Sequence, residues 1–247
     1  MLALIDGDCV GYRAAASCQP TKTKPYLEPL EAALGRCEDT MQRILYATNA
    51  ESYKVFIGGN DNFRYSINPE YKANRKDMPR PEWLQPVREY LVTQYGAQIC
   101  DGIEADDALG IHQDKENGST TIVSVDKDLL MIPGLHYNFV KDEHTSVWAL
   151  DGKLWFYRQL IMGDGADNIF GYDGKARDKV PKFLQPDIDM LYTYTDEREM
   201  YEHVLDMYQM NGQGRDVMHM NAHCLYIQHK ENDKWEVPNS KEKENSV

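Results

Sequence analysis

The sequence lacks any uninterrupted apolar run near the ~20 residues that a membrane-spanning helix requires. It is also poor in cysteine, with five scattered residues and no Cys-x-x-Cys spacing. An odd, dispersed set of this kind excludes a disulfide framework and a structural zinc site, and indicates a reduced protein. The first residues reach the charge of Asp6 without a basic segment, so no secretory signal is expected. These absences predict a cytoplasmic protein without a membrane partner.

Positive charge is scarce as well, with 27 Lys and Arg against 40 Asp and Glu and a formal net charge of −13. This balance argues against nucleic acid, because affinity for a phosphate backbone is largely electrostatic. The basic residues are nevertheless clustered, one group between Lys72 and Arg80 and another between Lys175 and Lys182. An acidic protein with two basic strips can bind a polyanion, particularly where divalent metals offset its carboxylates.

Apolar runs of strand length alternate with segments of helical periodicity. Strands are predicted at 1–5, 53–57, 97–100, 120–125, 135–140 and 145–150, and the second is expected to close at Gly58-Gly59-Asn60. Helices are predicted near 28–47, at 83–95 beyond Pro86, from Glu104 to about Asn117-Gly118, and from Leu154 onward around a glycine-rich interruption at 163–174. This alternation predicts an α/β fold with a mainly parallel central sheet and flanking helices.

Eight carboxylates lie at predicted strand ends, at a helix start or in glycine-rich turns. They are Asp6, Glu104, Asp106, Asp107, Asp126, Asp128, Asp164 and Asp167. Each alone is typical of a cap or a turn residue. In open α/β sheets, however, ligands bind beyond the carboxyl ends of the strands, where these residues would meet and repel one another. Hard cations with oxygen ligands, Mg²⁺ or Mn²⁺, would relieve that repulsion, and a pair of them would support phosphodiester hydrolysis.

Five short motifs, in chain order and spanning roughly residues 1–185, resemble the signatures of the bacteriophage 5′→3′ exonucleases. This family belongs with the flap endonucleases and the 5′-nuclease domains of bacterial DNA polymerases. The motifs are Ile5-Asp6-Gly7-Asp8, Tyr71-Lys72-Ala73-Asn74-Arg75, Glu104-Ala105-Asp106-Asp107, Ser124-Val125-Asp126-Lys127-Asp128 and Gly163-Asp164-Gly165-Ala166-Asp167-Asn168.

The resemblance implies a PIN-like nuclease core at 1–153 with a helical arch at about 68–95. It also implies a helical DNA-clamp subdomain at 154–238 that shares the active site, followed by a polar tail at 239–247. Two metal ions are implied, some of their ligands acting through water. Asp6, Glu104, Asp106 and Asp107 would serve one ion, and Asp126, Asp128, Asp164 and Asp167 the other.

By the same resemblance, Lys72 and Arg75 would contact the phosphate that is cut, and Tyr71 would stack on DNA. A cation at the transferring phosphate stabilises developing charge, and an aromatic face accepts a frayed base. The alternative interpretation is a solvated basic helix with Tyr71 in the core. Further DNA contacts are expected from Lys76, Arg80, Lys175, Arg177 and Lys179.

Two departures from the family pattern stand out. The clamp turn offers Gly174-Lys175-Ala176 in place of the usual Gly-x-Gly, which puts the family's potassium site in doubt. The family also usually has an aspartate near the end of the second strand, where Ile57 and Gly58 stand here, and Asp61 is the nearest carboxylate in the chain. With that ligand missing, Glu104 is expected to carry more of the first metal.

The combined hypothesis is a Mg²⁺- or Mn²⁺-dependent 5′ nuclease that acts on duplex, nicked or flapped DNA in phage replication, within the host cytoplasm. The RNA of an RNA–DNA hybrid is a further substrate, and replication proteins are candidate partners. One alternative is a haloacid-dehalogenase-like phosphatase, with Asp6 as nucleophile, Asp8 as acid/base and Gly163–Asn168 as metal-binding loop. The other is a catalytically inactive nucleic-acid-binding module.

Overall fold

The architecture was taken from a computed structural model, which describes residues 1–115 and 119–239. The predicted helix end near Asn117-Gly118 and the predicted tail beyond residue 239 lie outside these residues. The strands are β1 (Leu2–Asp6), β2 (Ser52–Asn62), β3 (Gln98–Gly102), β4 (Thr120–Val123), β5 (Gly134–Asn138), β6 (Glu143–Val147), β7 (Gly163–Asp164) and β8 (Ile169–Phe170). The helices are α1 (Gly7–Ala16), α2 (Leu30–Thr48), α3 (Arg64–Ile67), α4 (Leu84–Tyr95), α5 (Ala105–Lys115), α6 (Ala149–Met162), α7 (Gln185–Leu191), α8 (Glu197–Met210) and α9 (Arg215–Leu225).

The chain forms two compact units. The first, called the sheet unit, contains residues 1–63, 78–148 and 227–232. The second, called the helical unit, contains residues 64–77, 149–226 and 233–239. The segment expected as an arch, about 68–95, is thus divided between the units after Asp77.

The sheet unit is built on a sheet of strand order β3-β2-β1-β4-β5-β6. The pairs β3–β2, β2–β1, β1–β4 and β4–β5 are parallel, and β6 runs antiparallel to β5 at one edge. The predicted α/β class with a mainly parallel sheet is therefore confirmed. Since β1, β2, β3 and β4 run in one direction, their carboxyl ends meet at one edge of the sheet.

Alternating side chains of the central strands face two helical layers. Ala3 and Ile5 of β1 belong to the buried cluster that α1, α2 and α4 cover, together with Val55 and Ile57 of β2. Phe56 points to the opposite face, where its ring stacks on His112 of α5 with centroids 5.0 Å apart. Both faces are buried, which explains why these strands are apolar throughout rather than alternating.

Strand β2 differs from its prediction, because it continues through Gly58 and Gly59 to Asn62. A Cβ atom on Gly59 would lie 2.2 Å from Asp101 Oδ1 and 2.5 Å from the Cys100 carbonyl oxygen. Gly59 therefore permits a close approach of β3, and the strand continues where a turn was expected. Two helix starts also differ from their predictions. Helix α4 begins before Pro86, because a proline is tolerated in the first turn of a helix, and α6 begins at Ala149 rather than Leu154.

The helical unit packs α6 against α7, α8 and α9. Arg64 of α3 is fully buried, and its guanidinium donates Nε–H to the Cys224 carbonyl (2.8 Å) and Nη2–H to the Tyr226 carbonyl (2.6 Å). These carbonyls lie at the end of α9, where a positive charge is favoured by the helix dipole. In the part of the chain that the structure describes, no helix combines the length and apolarity needed to cross a bilayer.

Candidate active site

Asp6 ends β1 and is 3% exposed. Its carboxylate caps α1 by accepting the Cys9 N–H (2.9 Å), and it accepts a second hydrogen bond from Ser124 Oγ (2.6 Å). Burial raises the pKa of Asp6 above its ordinary value, and the charge of Asp8 acts in the same direction. An ionised Asp6 is therefore destabilised in the folded protein unless a positive charge comes near.

Ser124 joins the ends of β1 and β4. Besides donating to Asp6, its hydroxyl oxygen accepts the backbone N–H of Asp126 (3.0 Å). Asp126 Oδ1 in turn accepts the N–H of Asp128 (2.9 Å), which fixes the short turn that follows β4. Asp126 is exposed and Asp128 is half-buried. Sequence reasoning gave Ser124 no role, although it is the first residue of the motif that contains Asp126 and Asp128.

The carboxylates at the start of α5 have different environments. Glu104 is half-buried and accepts a hydrogen bond from Asn62 Nδ2 (2.7 Å). Asp107 is 0% exposed; its Oδ2 accepts the Glu104 N–H (2.9 Å) and its Oδ1 accepts the Gln228 N–H (3.0 Å). Both oxygens thus serve backbone donors at a helix start, and the assignment of Asp107 as a metal ligand stays a prediction.

Asp8, in the first turn of α1, was not assigned to the metal site from sequence. Its Oδ2 accepts the Gly58 N–H (2.7 Å), and its Oδ1 pairs with Arg88 Nη1. Burial raises the pKa of Asp8, against the charge of Arg88, and the charge of Glu104 raises it further. The motif Ile5-Asp6-Gly7-Asp8 already contained this residue.

The carboxylates of the sheet unit that border the ends of β1, β3 and β4 are called the acidic edge. They are Asp6, Asp8, Glu104, Asp106, Asp126 and Asp128. Burial first, then the charges of Asp6 and Asp106, raise the pKa of the Cys9 thiol at this edge. Within residues 1–115 and 119–239, no three Asp, Glu, His or Cys side chains stand close enough to hold a metal ion unaided. The donors are all oxygens and repel one another, so in chemistry they fit a hard divalent cation.

In the helical unit, two predicted motifs assemble on Asp167. Its carboxylate accepts from Tyr71 Oη (2.7 Å) and Arg75 Nη2 (2.6 Å), and Lys72 Nζ lies 3.7 Å away. Asp164 belongs to the same motif and is buried, and its Oδ1 accepts the Ala166 N–H (2.7 Å). Asp167 thus contacts two cations and one hydroxyl of the Tyr71–Arg75 motif.

Backbone contacts hold these two motifs together. The Lys72 N–H donates to the Asp167 carbonyl (2.9 Å), Asn74 Nδ2 to the Gly165 carbonyl (2.7 Å) and Arg75 Nε to the Ala166 carbonyl (2.8 Å). Lys72 adopts a left-handed conformation (φ 55°), which the flanking contacts stabilise. The motifs therefore share one local structure despite lying about 90 residues apart in sequence.

Two predicted DNA contacts are corrected. Tyr71 is 2% exposed, so its ring offers no face for a base to stack on. Arg177 is half-buried, donates through both terminal nitrogens to Asp173, and lies over the Phe183 ring at 5.7 Å. Its charge is used inside the unit, and it lowers the pKa of Asp173. The remaining candidates in the two basic strips are exposed: Lys76, Arg80, Lys175 and Lys179.

The fold is shared with a solved structure. The structure resembles that of the bacteriophage T5 D15 flap endonuclease in a complex with DNA and metal ions, with a TM-score of 0.55 and 18% identity. The match covers 91% of this chain and 97% of the T5 chain. At that identity the likeness shows a shared fold.

The family follows from the sequence match. Residues 1–154 match the model of the 5′-3′ exonuclease, N-terminal resolvase-like domain, and the chain belongs to this family. It is 27% identical to the 5′-3′ exonuclease of Buchnera aphidicola over 82% of the chain and 74% of that relative. It is 30% identical to the flap endonuclease Xni of Shewanella sp. over 49% of the chain and about half (51%) of that relative. Membership of the 5′-nuclease family and the predicted 5′-nuclease activity are confirmed, and the phosphatase interpretation is set aside.

Proposed function

We propose that the protein is a divalent-metal-dependent 5′ nuclease that hydrolyses phosphodiester bonds at or near the 5′ ends of duplex or branched DNA. The observation that carries this proposal is the Ser124 link, which couples the buried Asp6 to Asp126 at the carboxyl edge of the sheet. Support comes from the relatives named 5′-3′ exonuclease and flap endonuclease, and from the T5 neighbour's complex with DNA and metal ions.

The acidic edge is proposed to hold Mg²⁺ or Mn²⁺, with Asp6, Glu104, Asp106 and Asp107 on one ion and Asp126 and Asp128 on a second. In the helical unit, Asp164 and Asp167 are proposed as further metal ligands. Such ions supply an activated water and offset the charge of the phosphodiester. The protein's own contribution is to orient the carboxylates: Ser124 fixes Asp6 from one side, and the Cys9 N–H fixes it from the other.

Lys72 and Arg75 are proposed to approach the phosphate that is cut. Both now contact Asp167, so a phosphate competes with that carboxylate for the same donors. The exposed side chains of Lys76, Arg80, Lys175 and Lys179 are proposed to bind the DNA backbone, with the helical unit as a clamp. The RNA of an RNA–DNA hybrid and a role in phage replication are part of the same proposal.

The test is cleavage of 5′-flap, nicked and blunt duplexes labelled at either end, with Mg²⁺ present. Wild-type protein is expected to release label from 5′ ends, and Asp126→Asn to lose more than about 100-fold in rate, since even residues that support metal ligands contribute 10–100-fold. Asp39→Asn, an exposed acidic residue of α2, is the matched control. Full cleavage by Asp126→Asn would refute the site, and release from 3′ ends alone would refute the polarity.

A further inference from the structure

Tyr71 is buried, but a tyrosine that packs against it is not. Tyr65, in the short helix α3, is 46% exposed, and its ring meets the Tyr71 ring edge-to-face with centroids 5.9 Å apart. Such a contact covers only part of each ring, so much of the Tyr65 ring stays open to solvent. The helical unit therefore presents an aromatic surface next to the Tyr71–Arg75 motif.

The position of Tyr65 is fixed from two sides. Its neighbour Arg64 is 1% exposed and anchors α3 through hydrogen bonds to two carbonyls at the end of α9. The Tyr71 ring, on which Tyr65 packs, is held by its own hydroxyl, which donates to Asp167 (2.7 Å). A ring that is already held loses little freedom when a ligand binds, so Tyr65 is preorganised for a flat partner.

Two cations lie beside this pair of rings. Lys72 Nζ is 5.0 Å from the centroid of the Tyr71 ring and 3.7 Å from Asp167. The Arg75 side chain is 47% exposed, and its Nη2 donates to the same carboxylate. Tyr65 and Lys72 Nζ thus flank one ring, and their separation cannot exceed the sum of their distances to its centroid. A stacked strand that rises roughly 3.4 Å per nucleotide covers that span in about three nucleotides.

An aromatic face beside cations suits an unpaired nucleotide. Stacking of a base on an aromatic side chain strengthens binding about 5- to 100-fold and needs no particular base. In a duplex the bases are paired and stacked on one another, so a base reaches Tyr65 only where the strand is unpaired. Phosphates of the same strand can then meet Lys72 and Arg75. A blunt duplex gains nothing from Tyr65 until its end frays.

We propose that Tyr65 binds an unpaired base of a 5′ flap, and that it thereby favours 5′-flap substrates over blunt duplexes. This inference rests on the proposed function. It gives the exposed ring of α3 a role that the buried Tyr71 cannot fill. Tyr65 is thus a residue that selects the substrate by its unpaired strand.

The test compares wild type with Tyr65→Ala, Tyr65→Phe and Tyr192→Ala. Tyr192 is the matched control, because it is a tyrosine of the same unit with 51% exposure. Binding is measured with Ca²⁺ in place of Mg²⁺, on a 5′-flap DNA and on a blunt duplex of the same paired sequence. The fluorescent base 2-aminopurine is placed at successive flap positions, since its emission falls when it stacks.

Tyr65→Ala is expected to weaken flap binding about 5- to 100-fold, to leave blunt-duplex binding nearly unchanged, and to abolish the fluorescence loss at one flap position. Tyr65→Phe keeps the ring and should behave as wild type, which separates stacking from loss of the hydroxyl. Tyr192→Ala should leave both affinities unchanged. Urea unfolding of each variant separates loss of the contact from loss of the fold, and Tyr65→Leu takes the place of an alanine variant that does not fold.

The outcomes are distinct. Equal losses on the flap and on the blunt duplex would show that Tyr65→Ala only disturbs the packing of Tyr71, and would overturn the inference. Wild-type flap binding by a folded Tyr65→Ala would overturn it as well, while leaving the proposed function intact. A wild-type protein that binds neither DNA, and cleaves neither with Mg²⁺, would contradict the proposed function itself.

Discussion

Replacing Asp107 with asparagine tests whether this residue of α5 stabilises the fold. Each Asp107 oxygen accepts a buried backbone N–H, from Glu104 at 2.9 Å and from Gln228 at 3.0 Å. An asparagine keeps one acceptor and turns a donor toward the other N–H. Losing a hydrogen bond to a charged group costs about 1.5–3 kcal/mol, and the retained one is weakened, so a total of about 2–4 kcal/mol is expected.

The assay is urea unfolding followed by circular dichroism. With a slope of about 3 kcal/mol/M, suitable for a chain of this size, the midpoint should fall by about 1 M. The control is Glu31→Gln, which makes the same change in the exposed first turn of α2 and should cost under about 1 kcal/mol. Equal midpoints for Asp107→Asn and wild type would refute the structural role of Asp107.

Three further outcomes are expected. Tyr71→Phe removes the hydrogen bond to Asp167 but keeps the buried ring. The kcat should therefore fall with little change in KM for DNA, and an unchanged kcat would contradict a role for Tyr71 in positioning Asp167. Lys76→Ala should weaken DNA binding similarly for all sequences and reduce the salt slope by about 1, and an unchanged slope would remove Lys76 from the interface. Burial lowers the pKa of His136 below 6.5, so the unfolded chain takes up the proton first and stability falls as the pH drops below 6.5. His136→Asn should flatten this pH dependence of stability. A pH dependence equal to that of wild type would argue against His136 as its source.

The edge of the sheet was predictable from sequence because parallel strands place their carboxyl ends together. Asp6 and Asp126 each follow an apolar run, and the structure places both at that edge, with Ser124 between them. The pattern of strand and helix lengths carried this information without any contact being known.

The partners of individual side chains were not predictable, because they come from distant parts of the chain. Asp107 accepts the backbone N–H of Gln228, which is 121 residues away. Tyr71 is buried against Asp167, 96 residues away, rather than exposed for stacking. Gly58 was expected to end its strand because glycine is common in turns, but the strand continues through it, with Asp8 Oδ2 3.1 Å from where its Cβ would lie.

The proposed hydrolysis requires that water attacks the phosphodiester, and we propose that the phosphate stays on the 5′ end of the product. Cleavage of a 5′-flap substrate in ¹⁸O-labelled water with Mg²⁺, followed by mass spectrometry, tests it most directly. One ¹⁸O atom is expected in the 5′-phosphate of the trimmed duplex strand, with an unlabelled 3′-hydroxyl on the released flap. Label found in a 3′-phosphate, or equal cleavage without a divalent metal, would contradict the account.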